Sequence, residues 1–117
     1  MKYTMSTINE LNNYIHQYNI SDFMIKEMRG ETLYLVGSFD LAYYYDIEII
    51  VTGVSCLNLS CYFYVDLSKI QPFSVNILSD TGTKIFSFED ESTQQKSEIC
   101  FTGNISFCVE HISYYIE

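Results

Sequence analysis

Leu33 to Leu59 reads LYLVGSFDLAYYYDIEIIVTGVSCLNL. An apolar run, Leu33-Tyr34-Leu35-Val36, opens it. A second run, Ile47-Glu48-Ile49-Ile50-Val51, closes it around a single charge. On an extended chain Ile47, Ile49 and Val51 share one face, while Asp46, Glu48 and Ile50 share the other. The segment therefore predicts two strands joined by an acidic, tyrosine-rich connection, Asp40 to Asp46. Gly53 punctuates the end. Val54 to Leu57 either pairs next or continues the same strand beyond a bulge.

Upstream, Phe23 to Met28 and Thr32 to Phe39 flank Arg29-Gly30-Glu31, a turn signal, which predicts a hairpin. Further upstream, residues 6 to 18 carry the clearest helix. Thr7-Ile8-Asn9-Glu10 fits a capping box, with a hydroxyl at the cap and a carboxylate three residues on. Glu10 also places a negative charge in the first turn, where the helix dipole favours it. Ile8, Leu11, Ile15 and Tyr18 fall on one face at 3-4-3 spacing. Asn12, Asn13 and Gln17 fall mostly on the other. Asn19 tolerates the left-handed conformation that stops a helix.

Downstream, Cys61 to Val65 is rich in strand-forming residues. Pro72 is the one proline and belongs outside a strand interior. Phe73 to Ile77 and Lys84 to Phe88 flank the turn signal Ser79-Asp80-Thr81-Gly82, giving a second hairpin. Glu89 to Glu98, EDESTQQKSE, has no apolar residue and reads as an exposed loop. Gly103-Asn104 reads as a tight hairpin turn between Ile99–Phe101 and a return strand carrying Ile105, Phe107 and Val109. The tail, Glu110 to Ile116, suits either more strand or a short helix. One helix followed by eight or nine strands with short connections predicts one α+β domain over residues 1–117. It would be mostly antiparallel sheet, with the N-terminal helix packed on it.

The chain has 15 acidic and 6 basic residues, a net charge of −9. Phosphate binding needs a basic footprint, so a nucleic-acid partner is not expected, and anionic membranes are disfavoured too. A basic protein would be steered in. The start, MKYTMSTINELNN, lacks the apolar core of a secretory signal, and no run reaches the ~18 apolar residues of a spanning helix. That predicts a cytoplasmic protein whose Cys56, Cys61, Cys100 and Cys108 are reduced and act as small buried hydrophobes. The spacings within Cys56/Cys61 and Cys100/Cys108 are wider than the tight pairs of structural zinc sites, so no metal is expected. Cys108 and His111 lie three apart, on opposite sides of a strand, which argues against a thiol nucleophile with a histidine base. The glycines are too scattered for a phosphate loop, and no cofactor is implied.

Two regions remain as candidate partner-binding surfaces. Tyr43, Tyr44 and Tyr45 cannot all face a core, so at least one is exposed. Tyrosine supplies rigid contact area with a polar tip. Asp40, Asp46 and Glu48 beside them would meet arginine or lysine of a partner. Glu89, Asp90 and Glu91 offer a second acidic surface. Paired carboxylates among Asp40, Asp46 and Glu48 also raise glycoside chemistry, which needs a cleft that so small a domain has little room for.

The order Val36-Gly37-Ser38-Phe39-Asp40, Tyr43-Tyr44-Tyr45-Asp46-Ile47-Glu48-Ile49 and Thr52-Gly53-Val54-Ser55 resembles small bacterial immunity proteins of polymorphic-toxin and contact-dependent inhibition systems. The resemblance implies a non-enzymatic inhibitor that binds a cognate toxin in the producer's cytosol. It carries no functional residue across. A small ligand-binding or self-associating domain is the alternative, and a carboxylate-dependent enzyme using Asp40, Asp46 or Glu48 is a third reading.

Overall fold

The computed structural model describes residues 3–5, 7–78 and 80–113. The end of the tail, residues 114–117, lies outside them. The fold is α+β, dominated by antiparallel sheet. The helix, α1 (Ile8–Gln17), begins as its capping box dictates. The Glu10 N–H donates to the Thr7 hydroxyl at 3.1 Å, and that hydroxyl donates to Glu10 Oε1 at 3.2 Å. It stops at Asn19, whose φ is 52°.

Among the described residues, ten strands follow or flank it: β1 (Tyr3–Met5), β2 (Asp22–Arg29), β3 (Thr32–Ser38), β4 (Tyr44–Val51), β5 (Val54–Asn58), β6 (Tyr62–Tyr64), β7 (Phe73–Ile77), β8 (Lys84–Glu89), β9 (Lys96–Phe101) and β10 (Ile105–Ser113). Six form one sheet in the order β1-β10-β4-β3-β2-β6, and four form another in the order β5-β9-β8-β7. The expected hairpins β2–β3 and β7–β8 are both present. β1 was not foreseen. Its short run has no turn signal or alternation of its own, and it exists as an edge addition to β10.

The two sheets are stitched by one bent ribbon. β4 pairs β10 in the first sheet, with Val51 opposite Ile105. β5 pairs β9 in the second, with Val54 opposite Phe101. Gly103-Asn104 is therefore not a hairpin turn, because β9 and β10 belong to different sheets. It is one side of a corner at which both chains change sheet, a standard way to join packed sheets. The Thr52 N–H donates to Asn104 O at 2.9 Å, Thr102 N–H to Gly53 O at 3.0 Å, and Gly103 N–H to Thr52 O at 3.1 Å. Val54 to Asn58 accordingly leaves the first sheet instead of continuing or pairing within it.

The opposite side is closed more loosely. Val65 bridges Asp90, and the Glu91 N–H donates to Tyr64 O at 2.7 Å, tying the β6 edge to the end of β8. Asn12 completes the closure. Its amide donates to Phe73 O at 2.9 Å and accepts from Phe73 N–H at 3.0 Å, so a helix side chain stands in for a strand beside β7. Asn12 is buried, contrary to its expected place on the polar face, because the edge of β7 presents unpaired backbone groups there.

Every phenylalanine except Phe39 is buried. Phe63 stacks on Phe88 at 4.2 Å and on Phe23 at 5.7 Å, and Phe73 stacks on Phe86 at 5.0 Å. Each is worth roughly 1.5–3 kcal/mol of burial, which makes this aromatic layer the main cement between the sheets. Leu11, Ile15 and Ile20 bring α1 and its exit into the same core. Tyr18, expected on that face, is 52% exposed because the helix ends one residue earlier. The cysteines are not core residues: Cys56 and Cys61 are exposed, and Cys100 and Cys108 are half-buried. Two lie on outward faces of sheets whose inward positions are filled by the larger side chains. Among the described residues, no helix is long and apolar enough to cross a membrane.

Candidate functional site

The connection between β3 and β4 is shorter than the sequence implied, because Tyr44, Tyr45 and Asp46 already belong to β4. What remains is a tight turn organised by Asp40. The Ala42 N–H donates to Asp40 Oδ1 at 3.1 Å, and the Asp40 N–H to the Ser38 hydroxyl at 2.7 Å. Leu41 drops into the interior and anchors the turn, so the connection is not wholly outside the core. Its neighbours turn out: Phe39 is 62% and Tyr43 57% exposed.

Asp46 opens β4 beside this turn. Its Oδ1 lies 2.6 Å from His111 Nδ1 of β10, and the His111 ring tilts over Tyr44 at 4.9 Å. A register shift in β10 between Val109 and Ile112 accompanies this arrangement. The helix supplies Tyr14, whose ring meets that of its C-cap, Tyr18, at 4.6 Å. Burial, then Asp46, then Tyr18 push the Tyr14 phenol above its ordinary range. Burial, then Asp46, then Asp40 do the same at Tyr44. Both phenols thus remain hydrogen-bond donors at neutral pH, close to carboxylates.

The acidic rim continues across the sheet. Asp22 pairs in register with Ser38 of β3 and with Tyr64 of β6. Burial raises its carboxyl above the ordinary value. The Tyr62 hydroxyl, donating at 3.3 Å, opposes that, and nearby Asp40 adds to it. Tyr62 and Tyr64 meet edge to face at 5.2 Å, and Glu91 is bound to the backbone of Tyr64. The strand order therefore lays Asp46, Asp40, Asp22 and Glu91 along one end of the six-stranded sheet. At ~4.8 Å per strand the row from β4 to β6 is roughly 15 Å long.

The remaining candidates lie elsewhere. Glu48 faces out of the same sheet further along β4, where it pairs with Lys26 at 3.2 Å. Lys26 also reaches the Tyr45 hydroxyl at 3.5 Å, and these three with Cys108, Glu110 and Ile112 rim a depression of about 100 Å³. Asp40, Asp46 and Glu48 thus each hold a different partner. Glu89 pairs with Lys69 at 3.2 Å. Asp90 is buried, not exposed as its polar neighbourhood suggested. It accepts from the Ser92 N–H at 3.1 Å and from the Ser92 hydroxyl at 2.8 Å, folding the loop back on itself. Ser97, in the same polar run, is buried in β9. Sequence reasoning missed Phe39, Tyr18, Asp22, Tyr62, Tyr64 and His111 as members of this surface. Only the exposure of Phe39, beside a carboxylate in a turn, had a local signal.

Among the described residues, no group of three or more His, Cys, Asp or Glu side chains is placed to hold a metal ion. Comparison with known proteins finds no matching family model, no matching curated protein and no matching solved structure.

Proposed function

We propose that this chain is a non-enzymatic inhibitor of immunity type, which neutralises a cognate toxin in the bacterial cytoplasm by binding a basic surface on it. The observation that carries the reading is the rim at one end of the six-stranded sheet. It combines four carboxylates with exposed Tyr43, Phe39 and Tyr18 in a chain of net charge −9. Rigid aromatics among acidic groups suit a partner rich in arginine and lysine: the rings supply desolvated contact area, and the carboxylates steer and orient. Occluding a toxin's active site, or a surface next to it, requires nothing more.

The test is binding to any toxin domain encoded beside this chain. A tight complex is expected, with association slowed by about tenfold or more between low and high salt. The combined change Tyr43→Ala, Tyr44→Ala and Asp46→Asn should weaken it at least a hundredfold, while Lys26→Met with Glu48→Gln leaves it intact. A chain that binds none of the toxin domains encoded near it overturns the reading.

A second reading has one observation of its own. β5 is an edge strand of the smaller sheet, exposed at every residue after Val54. Such an edge suits self-association. Sedimentation equilibrium distinguishes the two, since the inhibitor reading needs only a monomer.

A further inference from the structure

Cys56 and Cys100 are direct partners across the β5–β9 ladder. Opposite residues in an antiparallel pair have Cα atoms about 4.5 or 5.5 Å apart, depending on the type of pair. Both values fall inside the ~4.4–6.8 Å window that a disulfide requires. The register is fixed locally. Ser55 sits in the irregularity of β5 between Val54 and Cys56, and its hydroxyl donates to Cys100 O at 3.3 Å. Ile99 and Phe101, on either side of Cys100, are fully buried, so Cys100 faces out of the sheet beside Cys56. The other thiols are not in this pair: Cys61 precedes β6, and Cys108 lies on β10 in the other sheet.

We infer that Cys56 and Cys100 form a reversible oxidation site, closing to an intramolecular cross-strand disulfide in the presence of a small-molecule disulfide of the glutathione type. The two thiols are unequal. Cys56 is exposed on an edge strand, whereas Cys100 is half-buried. Burial first, then Cys56 itself, then Glu98 hold the Cys100 thiol above its ordinary range. Cys56 is therefore the attacking thiol. Its thiolate attacks one sulfur of the oxidant, breaking that S–S bond and releasing one thiol. Cys100 then attacks the Cys56 sulfur of the mixed disulfide and displaces the second thiol. Two protein thiols and one disulfide become one protein disulfide and two small thiols, and the two protons end on the released thiols. The inference rests on the ladder geometry alone and stands whether or not the chain is an inhibitor.

The experiment treats the full chain with oxidised glutathione, blocks remaining thiols by alkylation and maps the peptides by mass spectrometry. Before alkylation, the expected product is a monomer lacking two hydrogen atoms relative to the reduced chain, apart from any glutathione on the exposed Cys61, and dithiothreitol restores the reduced mass. After alkylation, Cys56 is linked to Cys100, while Cys61 and Cys108 carry the alkyl group or glutathione. Cys100→Ser should stop at a glutathione adduct on Cys56, and Cys56→Ser should lose the linkage. Cys61→Ser and Cys108→Ser should leave it unchanged. A linkage through Cys61 or Cys108, a covalent dimer, or a wild-type chain that halts at the adduct overturns the inference.

Discussion

Gly53 and Gly103 stand back to back where the two chains of the ribbon change sheet. Gly53 has φ +70°, and a Cβ there would lie 2.7 Å from Gly103 N. A Cβ on Gly103 would lie 2.5 Å from Thr52 O. Both obstacles are backbone held by the corner's own hydrogen bonds, so neither can move aside cheaply. Gly53→Ala and Gly103→Ala are each expected to cost about 2–4 kcal/mol in urea unfolding, from overpacking and lost corner bonds. Gly82→Ala is the control. Its φ is +73°, but nothing lies within 4 Å of the added carbon, so only the conformational cost of ~1 kcal/mol applies. The same residues show where reading from sequence stops. A Gly-Asn pair between two alternating runs is the signal for a hairpin turn. It cannot reveal that Thr52 and Gly53, some fifty residues earlier, occupy the space the hairpin would need. Asp90 failed likewise: a carboxylate in a run without apolar residues looks solvated, and only the fold-back onto Ser92 buries it.

At the scale of elements, α1 shows both what is local and what is not. Its start is written in four residues, Thr7 to Glu10, because a capping box is satisfied within one turn. The strands of both hairpins were legible for a similar reason: the alternation and the turn chemistry are adjacent in the chain. The task of Asn12 was not legible, since its partner Phe73 lies on a strand that reaches it only through the tertiary fold. Asn12→Ala would leave the Phe73 N–H and C=O unpaired in a buried setting. The expected loss is about 2–4 kcal/mol, and hydrogen exchange should speed up along β7 more than along β3. Asn12→Asp should cost a comparable amount at neutral pH, because a carboxylate can accept from Phe73 N–H but cannot donate to its carbonyl. Equal protection of β7 in wild type and Asn12→Ala would show that the helix does not guard this edge. The candidate site divides in the same way. Tyr43 and Asp40 were found because three consecutive tyrosines beside carboxylates cannot all face a core. Asp22, Tyr62 and His111 join them only because the order β10-β4-β3-β2-β6 brings the ends of these five strands to one side.

At the scale of the whole molecule, the charge of Asp22 works against the fold that carries it. The chain has a net charge of −9, and the rim concentrates part of that charge where Asp22 is partly buried and near Asp40. The Asp22 carboxyl is raised, so the folded chain binds that proton more tightly than the unfolded chain does. Its contribution to stability is fully present below the unfolded value near 3.8 and is lost as pH rises through the higher folded value. Above that range the ionised carboxylate is a net cost, although solvent screening keeps it below ~1 kcal/mol. Asp22→Asn retains an oxygen that can accept from the Tyr62 hydroxyl, and with Glu91→Gln it removes two charges from the rim. This pair of changes is expected to make the chain as stable as wild type or slightly more so at neutral pH, with the difference shrinking toward pH 4. Added salt should raise the stability of the wild type more than that of the variant, since screening relieves repulsion that the variant no longer has. If the rim serves a basic partner, the same variant should bind that partner more weakly and with a shallower dependence on salt. Thermal unfolding across pH and salt, paired with binding at each salt concentration, separates the outcomes. A variant that is no less stable yet binds worse places the carboxylates in the service of recognition. A variant that binds as tightly as wild type removes Asp22 and Glu91 from the interface and confines it to Tyr43, Tyr44 and Asp46.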